Sequence, residues 1–544
     1  MSRRLAILAV VTLLLGWGEA AVGDVTVASL FSDHAVLQRD IATPVWGTAD
    51  PGEEVTVAFG GQSETKIAGD NGQWMVYLAE MPASSEPREM IINGRDTTTG
   101  QYTSTIVVSD VLVGEVWLAG GQSNMQRPLS DDCDAAAAIP NAAEHNMRFF
   151  NVTANGGNVA STVWEVSGTS SASAMSAVHF YFGRHLAKNM PNVPIGLITS
   201  AVSATAIERW ATCAGSGRLY KGQIVPLQPY ALRGVTWYQG EWDARGSQDS
   251  SKYYEQLPCL IGEWRADWGQ GAFPFYVVQM PKMGIGSIHI VRDAELQTTL
   301  SDPQVEMIVT IDQPGSDVHP PCKEPFGIRL ADLARQFEYQ HPVAARSPLF
   351  NADACYVDGN KIGVVFDNVA EGLQSSGGEL AEWEIAGANG SYVAALASIV
   401  ENPDGIDDTV EVWSDFVSNP VSARYAFRTN PTENNLINSA GLPASPIREV
   451  MPSPGLCGDG SCDSAEDLCN CPTDCGLPPP NELDCGDEVD NDCDLFVDCL
   501  DSDCEYDPVC ALPPPDCSQY TKKRSCNSAA ACRWDNRNKV CIAN

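Results

Sequence analysis

The pattern of hydrophobic and polar positions changes twice along the chain. From Val25 to about Asp110, short runs that alternate apolar and polar residues are separated by Gly, Pro and Asp, as in TPVWGTADPGEEVTVAFGG. This alternation predicts antiparallel strands with one buried face each. From about Pro342 to Glu449 the same β character returns. The sequence leaves open whether the two β regions form one sandwich or two.

Between these regions the apolar runs are continuous. Continuous runs that are spaced for crossover connections predict buried parallel strands of an α/β sheet, and segment 171–189 predicts one of the helices. The runs are VLVGEVWLAG, PIGLITSAV, RGVTWYQG, FPFYVVQM and VEMIVTID. We therefore predict an α/β domain over 111–341, preceded by a β domain over 24–110 and followed by a β region over 342–450.

The first 23 residues have the layout of a signal peptide. Two arginines precede an apolar run from Leu5 to Trp17, and small residues follow it. The run is short for a membrane span, and no later segment approaches that length. We therefore expect an exported, soluble protein, either secreted or held in the periplasm or at the cell surface. A retained signal anchor is the alternative.

The chain is strongly acidic, and its acid and cysteine are concentrated near the C-terminus. Its net charge of −37 argues against nucleic acid or an anionic membrane as a partner, because both need clustered Lys and Arg. Residues 457–516 hold 18 acidic residues and no Lys or Arg, and 14 of the 19 cysteines lie after residue 456. In an exported chain, dense cysteine predicts disulfide-linked modules, and an odd total leaves at least one thiol unpaired or paired between chains. Within 451–544 the predicted modules are 457–475, 485–510 and 517–541.

The second of these modules carries a pattern of acidic residues typical of a calcium loop. Five aspartates fall at relative positions 1, 3, 5, 9 and 12, where such a loop places oxygen ligands. They are Asp490, Asp492, Asp494, Asp498 and Asp501. The segment resembles the aspartate-rich calcium repeats of extracellular proteins, although Leu495 stands where the turn glycine is expected. Calcium is the predicted cofactor of the tail, a disulfide knot with a solvated acidic face is the alternative, and a cell-surface or matrix component is a candidate partner.

A candidate nucleophile follows the first strand of the predicted α/β sheet. In GEVWLAGGQSNMQRPL, Gly120 and Gly121 permit a tight turn at the carboxyl end of the strand. Open α/β sheets bind ligands at this edge, so Ser123 is a candidate for nucleophilic catalysis. The alternative is that Ser123 only caps the helix that follows.

A serine nucleophile needs a general base, and the chain has seven histidines. His319 lies in QPGSDVHPP, which follows the last predicted strand and therefore reaches the same edge of the sheet. Asp317 stands two residues before it. The alternative is an imidazole on a surface loop. A third loop at this edge carries Gln239, whose amide is a candidate donor for a developing oxyanion.

These residues carry a family resemblance. GQSNM after an apolar strand, ERW at 208–210, WYQGE and DVHP, in this order, resemble the sialate O-acetylesterase type of carbohydrate esterase within the SGNH hydrolase superfamily. The likeness runs from about residue 28 to 449. It implies a three-layer, flavodoxin-like parallel sheet, Ser123 as nucleophile and His319 as base. It also implies an oxyanion hole formed by the Ser123 N–H, a backbone N–H near Ser203 and the Gln239 amide.

The chain departs from the family pattern at two places. It has Ser203, Ala204 and Thr205 where the family usually has Gly-Gly-Thr, which keeps a backbone donor but not glycine's conformational freedom. The triad acid is also open: Asp317 is the first choice, Asp312 the second, and a backbone carbonyl the third.

Several residues near these motifs are candidates for substrate binding. Glu241 and Arg209 are the first choices, and Arg127, Arg233 and Trp237 are further candidates. A structural role is the alternative for each of them.

The leading hypothesis is a secreted serine esterase that removes acetyl groups from glycans, most simply from sialic acid, without a metal or other cofactor for catalysis. Xylan or another polysaccharide is the alternative substrate, because fold and triad do not set the sugar. The rival from another class is a catalytically impaired, calcium-dependent protein that binds glycans or surfaces.

Overall fold

The computed structural model describes residues 24–152, 159, 162–313, 318–401, 405–451, 532–535 and 540–543. The N-terminal region consists of two β-sheets that share buried apolar side chains. One sheet has the order β1-β3-β6, and β5, β4, β7 and β8 pair in the other. The strands are β1 (Thr26–Val27), β2 (Val36–Gln38), β3 (Thr43–Thr48), β4 (Glu54–Phe59), β5 (Gln62–Ile67), β6 (Gln73–Leu78), β7 (Ser84–Arg95) and β8 (Tyr102–Gly121).

Strand β8 joins this region to the α/β domain. Its first part pairs antiparallel with β7, and its last seven residues pair parallel with another strand, Ile195–Ala201. The predicted boundary between residues 110 and 111 falls inside β8, where Asp110 has a φ of 55°. Buried residues of the β region and of the α/β domain form one continuous hydrophobic core. The strand that leads to Ser123 is therefore anchored on both sides.

The central sheet contains six parallel strands in the order β9-β11-β8-β12-β13-β14, with β10 antiparallel at one edge. The bounds are β9 (Met147–Val152), β10 (Glu165–Val166), β11 (Ile195–Ala201), β12 (Gly234–Tyr238), β13 (Phe275–Val278) and β14 (Val305–Ile308). All five predicted parallel strands are present. The sequence analysis missed β9. The predicted α/β class with flanking β regions is confirmed, although the central sheet as a whole is mixed.

Helices cover both faces of this sheet. Trp117 and Tyr238 contact Phe182 and Phe326 on one face, and Trp237, which alternates with Tyr238, contacts Trp264 on the other. The helices are α1 (Ser123–Gln126), α2 (Ala135–Ala138), α3 (Thr169–Ala174), α4 (Ala177–Asn189), α5 (Ser247–Trp268), α6 (Ile288–Ser301) and α7 (Glu324–Phe337). Short 3-10 turns occupy Leu129–Asp131, Ile139–Glu144, Ile207–Arg209, Val225–Leu227, Asp243–Arg245 and Ala352–Ala354, and a π turn occupies Tyr220–Ile224.

The single helix predicted over 171–189 is two helices. α3 ends at Ala174, Met175 adopts an extended conformation, and α4 begins at Ala177. The break has a local cause, because the Ser176 hydroxyl accepts a hydrogen bond of 3.2 Å from the His179 N–H and so caps the start of α4. Ser176 lines the cavity described below, so the break brings a polar side chain to the site.

The C-terminal β region builds a second hydrophobic core rather than completing the first sandwich. This core includes Trp383 and Tyr425, and also Met307 and Ile311 from β14 and the residues that follow it. The strands are β15 (Leu349–Phe350), β16 (Tyr356–Asp358), β17 (Lys361–Asp367), β18 (Leu373–Ser375), β19 (Trp383–Gly387), β20 (Val393–Ala394), β21 (Leu396–Glu401), β22 (Asp407–Trp413), β23 (Pro420–Tyr425), β24 (Leu436–Asn438) and β25 (Ile447–Val450). The two β regions therefore form separate sheets.

In the tail the structure describes one antiparallel hairpin, β26 (Cys532–Asp535) with β27 (Val540–Ala543). The predicted signal peptide and the five predicted calcium ligands lie outside the described residues. No helix in the described ranges combines the length and the apolar character needed to cross a membrane.

Candidate active site

The turn that precedes Ser123 is built by glycine at the end of β8. Gly121 has a φ of 139°, and a Cβ atom there would lie 2.1 Å from the Tyr238 carbonyl oxygen. Only glycine fits both conditions. The chain then enters α1 with Gln122 as N-cap, and no side-chain cap bond forms. Ser123 is therefore not a helix cap: its Oγ lies 2.9 Å from Nε2 of His319.

Several contacts hold the segment that carries His319 against the segment that follows Ser123. The Asn124 amide donates to the Val318 carbonyl at 2.9 Å. Cys133 and Cys322 form a disulfide between chain segments 189 residues apart. The Lys323 N–H donates to the Asp132 carboxylate at 2.7 Å. These contacts flank His319 on both sides along the sequence and hold its backbone beside Ser123.

Asn124 also ties the nucleophile turn to the loop after β12. Its amide nitrogen donates to the Glu241 carboxylate, and its amide oxygen accepts from the Lys323 ammonium group at 2.5 Å. Burial raises the pKa of Glu241 to about 7, against the opposing effects of the Asn124 bond and the Lys323 charge. The sequence predicts Glu241 as a substrate-binding residue. In the structure Glu241 is instead buried, with 3% of the residue exposed, and its carboxylate is directed at Asn124.

Gln239 likewise lies in the interior rather than on the cavity surface. Its amide nitrogen faces the Gln122 side-chain oxygen at 3.1 Å, the Thr205 carbonyl at 2.9 Å and the Asp243 carboxylate. An amide has two hydrogens, so these acceptors already use both. The predicted role of Gln239 as a direct oxyanion donor does not fit this arrangement. Gln239 instead joins the loops that surround Ser123.

Ser203, near which a backbone N–H is predicted to serve the oxyanion hole, lies at the cavity that contains Ser123. The Ser203 N–H donates to the side-chain oxygen of Gln126 at 2.8 Å, and its hydroxyl lies 2.5 Å from the same atom. Ala204, where the family usually has glycine, has a φ of 56°. The backbone thus keeps the left-handed conformation that glycine would adopt without strain, although a methyl group is present.

Ser123 and His319 open into a cavity of about 580 Å³. Its other lining residues are Gln126, Arg127, Pro128, Asp131, Asn151, Val152, Ala174, Ser176, Thr199, Ala201 and Ser203. This volume and the mixture of polar and apolar side chains suit a small ligand. A larger cavity of about 770 Å³ is lined by residues 32–34, 163–166 and 168–171 and contains neither Ser123 nor His319.

Of the other predicted substrate-binding residues, Arg127 lines this cavity, whereas Arg209, Arg233 and Trp237 do not. Arg209 is exposed on the turn Ile207–Arg209. Arg233 binds the buried carboxylate of Glu115 through two nitrogens, at 2.8 and 3.2 Å. Trp237 is fully buried. The alternative structural role therefore applies to Arg233 and Trp237.

The identity of the triad acid stays a prediction for Asp317, which lies outside the described residues. The second choice, Asp312, is engaged elsewhere. Arg329 binds both of its carboxylate oxygens, at 2.8 and 2.5 Å, so this side chain is held by a bidentate ion pair.

Proximity of a carboxylate alone does not identify the base. His34 contacts Asp110 at 2.6 Å, and His185 contacts Asp332 at 2.9 Å. Neither pair lies in the cavity with Ser123. Burial lowers the pKa of His179 to about 3, so that imidazole stays neutral. Within the described ranges, His319 is the histidine whose ring contacts a serine hydroxyl.

The chain is similar to known carbohydrate esterases. Residues 113–335 match the family described as carbohydrate esterase, sialic acid-specific acetylesterase. A sialate O-acetylesterase from Homo sapiens is 30% identical over 402 residues, which cover 61% of this chain and 75% of that protein. The corresponding enzyme of Mus musculus is 28% identical, with coverages of 57% and 73%.

Among solved structures, a carbohydrate acetylesterase from Xanthomonas citri is similar, with a TM-score of 0.70 and 34% identity. The match covers 78% of this chain and 99% of that one. A match of this extent is longer than the α/β domain alone. The chain belongs to the sialic acid-specific acetylesterase family of carbohydrate esterases, and it is accordingly a carboxylic ester hydrolase.

Proposed function

We propose that the protein is a serine esterase that removes O-acetyl groups from sialic acids through an acetyl-enzyme on Ser123. The observation that carries this proposal is the 2.9 Å contact between Ser123 Oγ and His319 Nε2 inside a cavity of ligand size. A hydroxyl is a weak nucleophile at neutral pH, and an imidazole at this distance activates it. The relatives named as sialate O-acetylesterases support the choice of ester.

In the proposed first step, His319 Nε2 takes the Ser123 proton while Oγ bonds to the acetyl carbonyl carbon, and the carbonyl electron pair moves onto oxygen. The tetrahedral intermediate collapses, and the departing sugar oxygen takes the proton from His319. Water then attacks the acetyl-enzyme with His319 as base, which releases acetate and restores Ser123. Because an unperturbed imidazole has a pKa of about 6.5, it both accepts and returns the proton near neutral pH, and these steps need no metal.

We propose the N–H groups of Ser123 and Ser203 as donors to the oxyanion. The Ser203 N–H is held by Gln126 in the free protein, so Gln126 has to release it when the acetyl oxygen arrives. Gln239 supports the site from the interior through its bonds to Gln122, Thr205 and Asp243. Asp317 remains the proposed acid that orients His319.

The test is acetate release from an aryl acetate, from O-acetylated sialic acid and from acetylated xylan, with wild type and Ser123→Ala measured side by side. We expect wild type to release acetate, with sialic acid preferred, and Ser123→Ala to lose about 10³-fold or more in kcat. Turnover by Ser123→Ala at the wild-type rate would remove the nucleophile assignment. A preference for xylan would replace the proposed substrate, and no release from any ester by folded wild type would favour the binding role.

Two further proposals concern the ends of the chain. We propose that residues 1–23 direct export and that the acidic tail binds calcium through the five aspartates named above. Dense acidic charge without a basic residue is relieved by a divalent cation, which supports the second proposal. Calorimetric titration of the full mature chain with calcium is expected to show saturable binding, and the variant Asp490→Asn/Asp494→Asn should lose this binding. A titration of the wild-type chain that shows no binding heat would contradict the calcium proposal.

A further inference from the structure

Among the described residues that line the active-site cavity, one side chain is permanently positive. Apart from the histidine, Arg127 and Asp131 are the charged residues among the described lining. We propose that Arg127 binds the carboxylate of the sugar substrate and so selects acetylated sialic acids over neutral acetylated glycans. This inference rests on the proposed esterase function and assigns the residue that sets its substrate class.

The backbone of Arg127 is fixed relative to the nucleophile. Its N–H donates to the Ser123 carbonyl at 2.9 Å, and its own carbonyl accepts from the Ala177 N–H at 2.9 Å. The residue therefore lies one helical turn beyond Ser123 and is anchored to the start of α4. A substrate whose acetyl group reaches Ser123 is consequently held in the same cavity as the guanidinium group.

The guanidinium group of Arg127 is available for a second anion. Its side chain is 40% exposed, and it meets Asp131 through a single nitrogen–oxygen approach of 3.5 Å. Asp131 is itself half exposed, and ion pairs of this kind contribute about 0–1 kcal/mol. The guanidinium fork presents five N–H donors that match a carboxylate through two parallel hydrogen bonds. Asp131 leaves this fork largely unused.

Other arginines of the domain differ in this respect. Arg329 and Arg233 each bind one carboxylate through two nitrogens at hydrogen-bonding distance. These guanidinium groups are therefore used in structural ion pairs. Arg209, which like Arg127 is a candidate from the sequence, is exposed and does not line the cavity. Among these four, Arg127 lines the cavity, and no carboxylate of the described residues binds its guanidinium group through two nitrogens.

A sialic acid carries a carboxylate, whereas an acetylated neutral sugar does not. The protein has a net charge of −37, so an anionic substrate has to be attracted locally. A charge-assisted hydrogen bond is about twice as strong as a neutral one, and its removal typically lowers affinity by about 10- to 100-fold. Arg127 thus favours an acidic sugar and offers a neutral one no comparable bond.

The experiment compares one sugar in two charge states. kcat and KM are measured for O-acetylated sialic acid and for its carboxyl methyl ester, with wild type, Arg127→Gln, Arg127→Lys, Asp131→Asn and Arg209→Gln. Hydrolysis of an aryl acetate by each variant, with Ser123→Ala as blank, reports whether the Ser123 chemistry is intact. This last assay separates failure of the inference from failure of the proposed function.

We expect wild type to prefer the free acid over the methyl ester by about 10- to 100-fold in kcat/KM, mainly through KM. Arg127→Gln should bring this ratio close to one, and Arg127→Lys should keep part of it, because an ammonium group binds as a point charge. Asp131→Asn should raise the ratio slightly, since it removes the competing carboxylate. The inference would be overturned if wild type cleaved the aryl acetate but had equal kcat/KM values for the free acid and the methyl ester. It would also be overturned if Arg209→Gln lost the preference for the free acid while Arg127→Gln kept it.

Discussion

The disulfide between Cys133 and Cys322 is expected to stabilise the protein and to position His319, the proposed general base. It joins the segment after the nucleophile turn to the segment three residues beyond His319, across a sequence separation of 189. The second disulfide of the described chain, between Cys213 and Cys259, spans 46 residues; neither cysteine lines the active-site cavity or lies near His319 in the sequence. All four cysteines are exposed or half-buried, so serine is a mild replacement for each. The two pairs thus form a matched comparison.

The chain-entropy relation gives the size of the effect on stability. Closing a loop of separation 189 removes denatured-state entropy equivalent to about 5 kcal/mol at 25 °C, and a separation of 46 gives about 4 kcal/mol. The free energy of unfolding should therefore fall by similar amounts in the two double variants, Cys133→Ser/Cys322→Ser and Cys213→Ser/Cys259→Ser. The fall should be about 1 kcal/mol larger in the first. Tryptophan fluorescence during urea denaturation measures both losses.

The effect on activity should differ much more between the two variants. Without the first disulfide, His319 is still held by the Asn124–Val318 and Lys323–Asp132 hydrogen bonds, so the loss is partial. Small displacements of a catalytic group cost up to about 100-fold, and we expect a fall of about 10-fold in kcat for an aryl acetate. The Cys213/Cys259 variant should stay within about 2-fold of wild type. Both assays are run well below the melting temperatures. Equal kcat values for the two variants would refute the positioning role, and a larger stability loss in the second variant would refute the loop-entropy argument.

Two further predictions concern buried charge and backbone strain. In the folded protein the pKa of Glu241 is about 7, whereas in the unfolded chain this carboxyl has its ordinary pKa of 4.5. The free energy of unfolding therefore falls as pH rises through this window, by on the order of 3 kcal/mol from this residue. Glu241→Gln should flatten that fall in urea midpoints measured from pH 4.5 to 7.5, and an unchanged slope would show that Glu241 is not the source. Ala204 has a φ of 56°, so Ala204→Gly should raise stability by about 0.5–1 kcal/mol, whereas Ala206→Gly, at a φ of −74°, should lower it by a similar amount. A lower melting temperature for Ala204→Gly would contradict the strain argument.

The sequence by itself determined five of the six parallel strands and the sheet edge at which the site lies. Continuous apolar runs identify the parallel strands in the sequence because burial of both faces of such a strand requires apolar residues throughout. Gly121 identifies the turn because no other residue fits there. Ser123 and His319 were identifiable because both follow such runs, at an edge where parallel strands end together. By contrast, β9 was missed and the helix over 171–189 was predicted as one element, since Ser176 caps α4 only in the folded context.

Only the tertiary structure decided what each side chain near the site contacts. Glu241 and Arg209 carry charges typical of substrate ligands, but Glu241 is turned inward onto Asn124, and Arg209 lies outside the cavity that Arg127 lines. The pairing of Cys133 with Cys322 likewise depends on which distant loops meet. The physical reason is that hydrophobic periodicity is a local property of the chain, so it is readable from sequence. Hydrogen bonds and ion pairs join residues more than 100 positions apart, and their partners are set only when the loops converge.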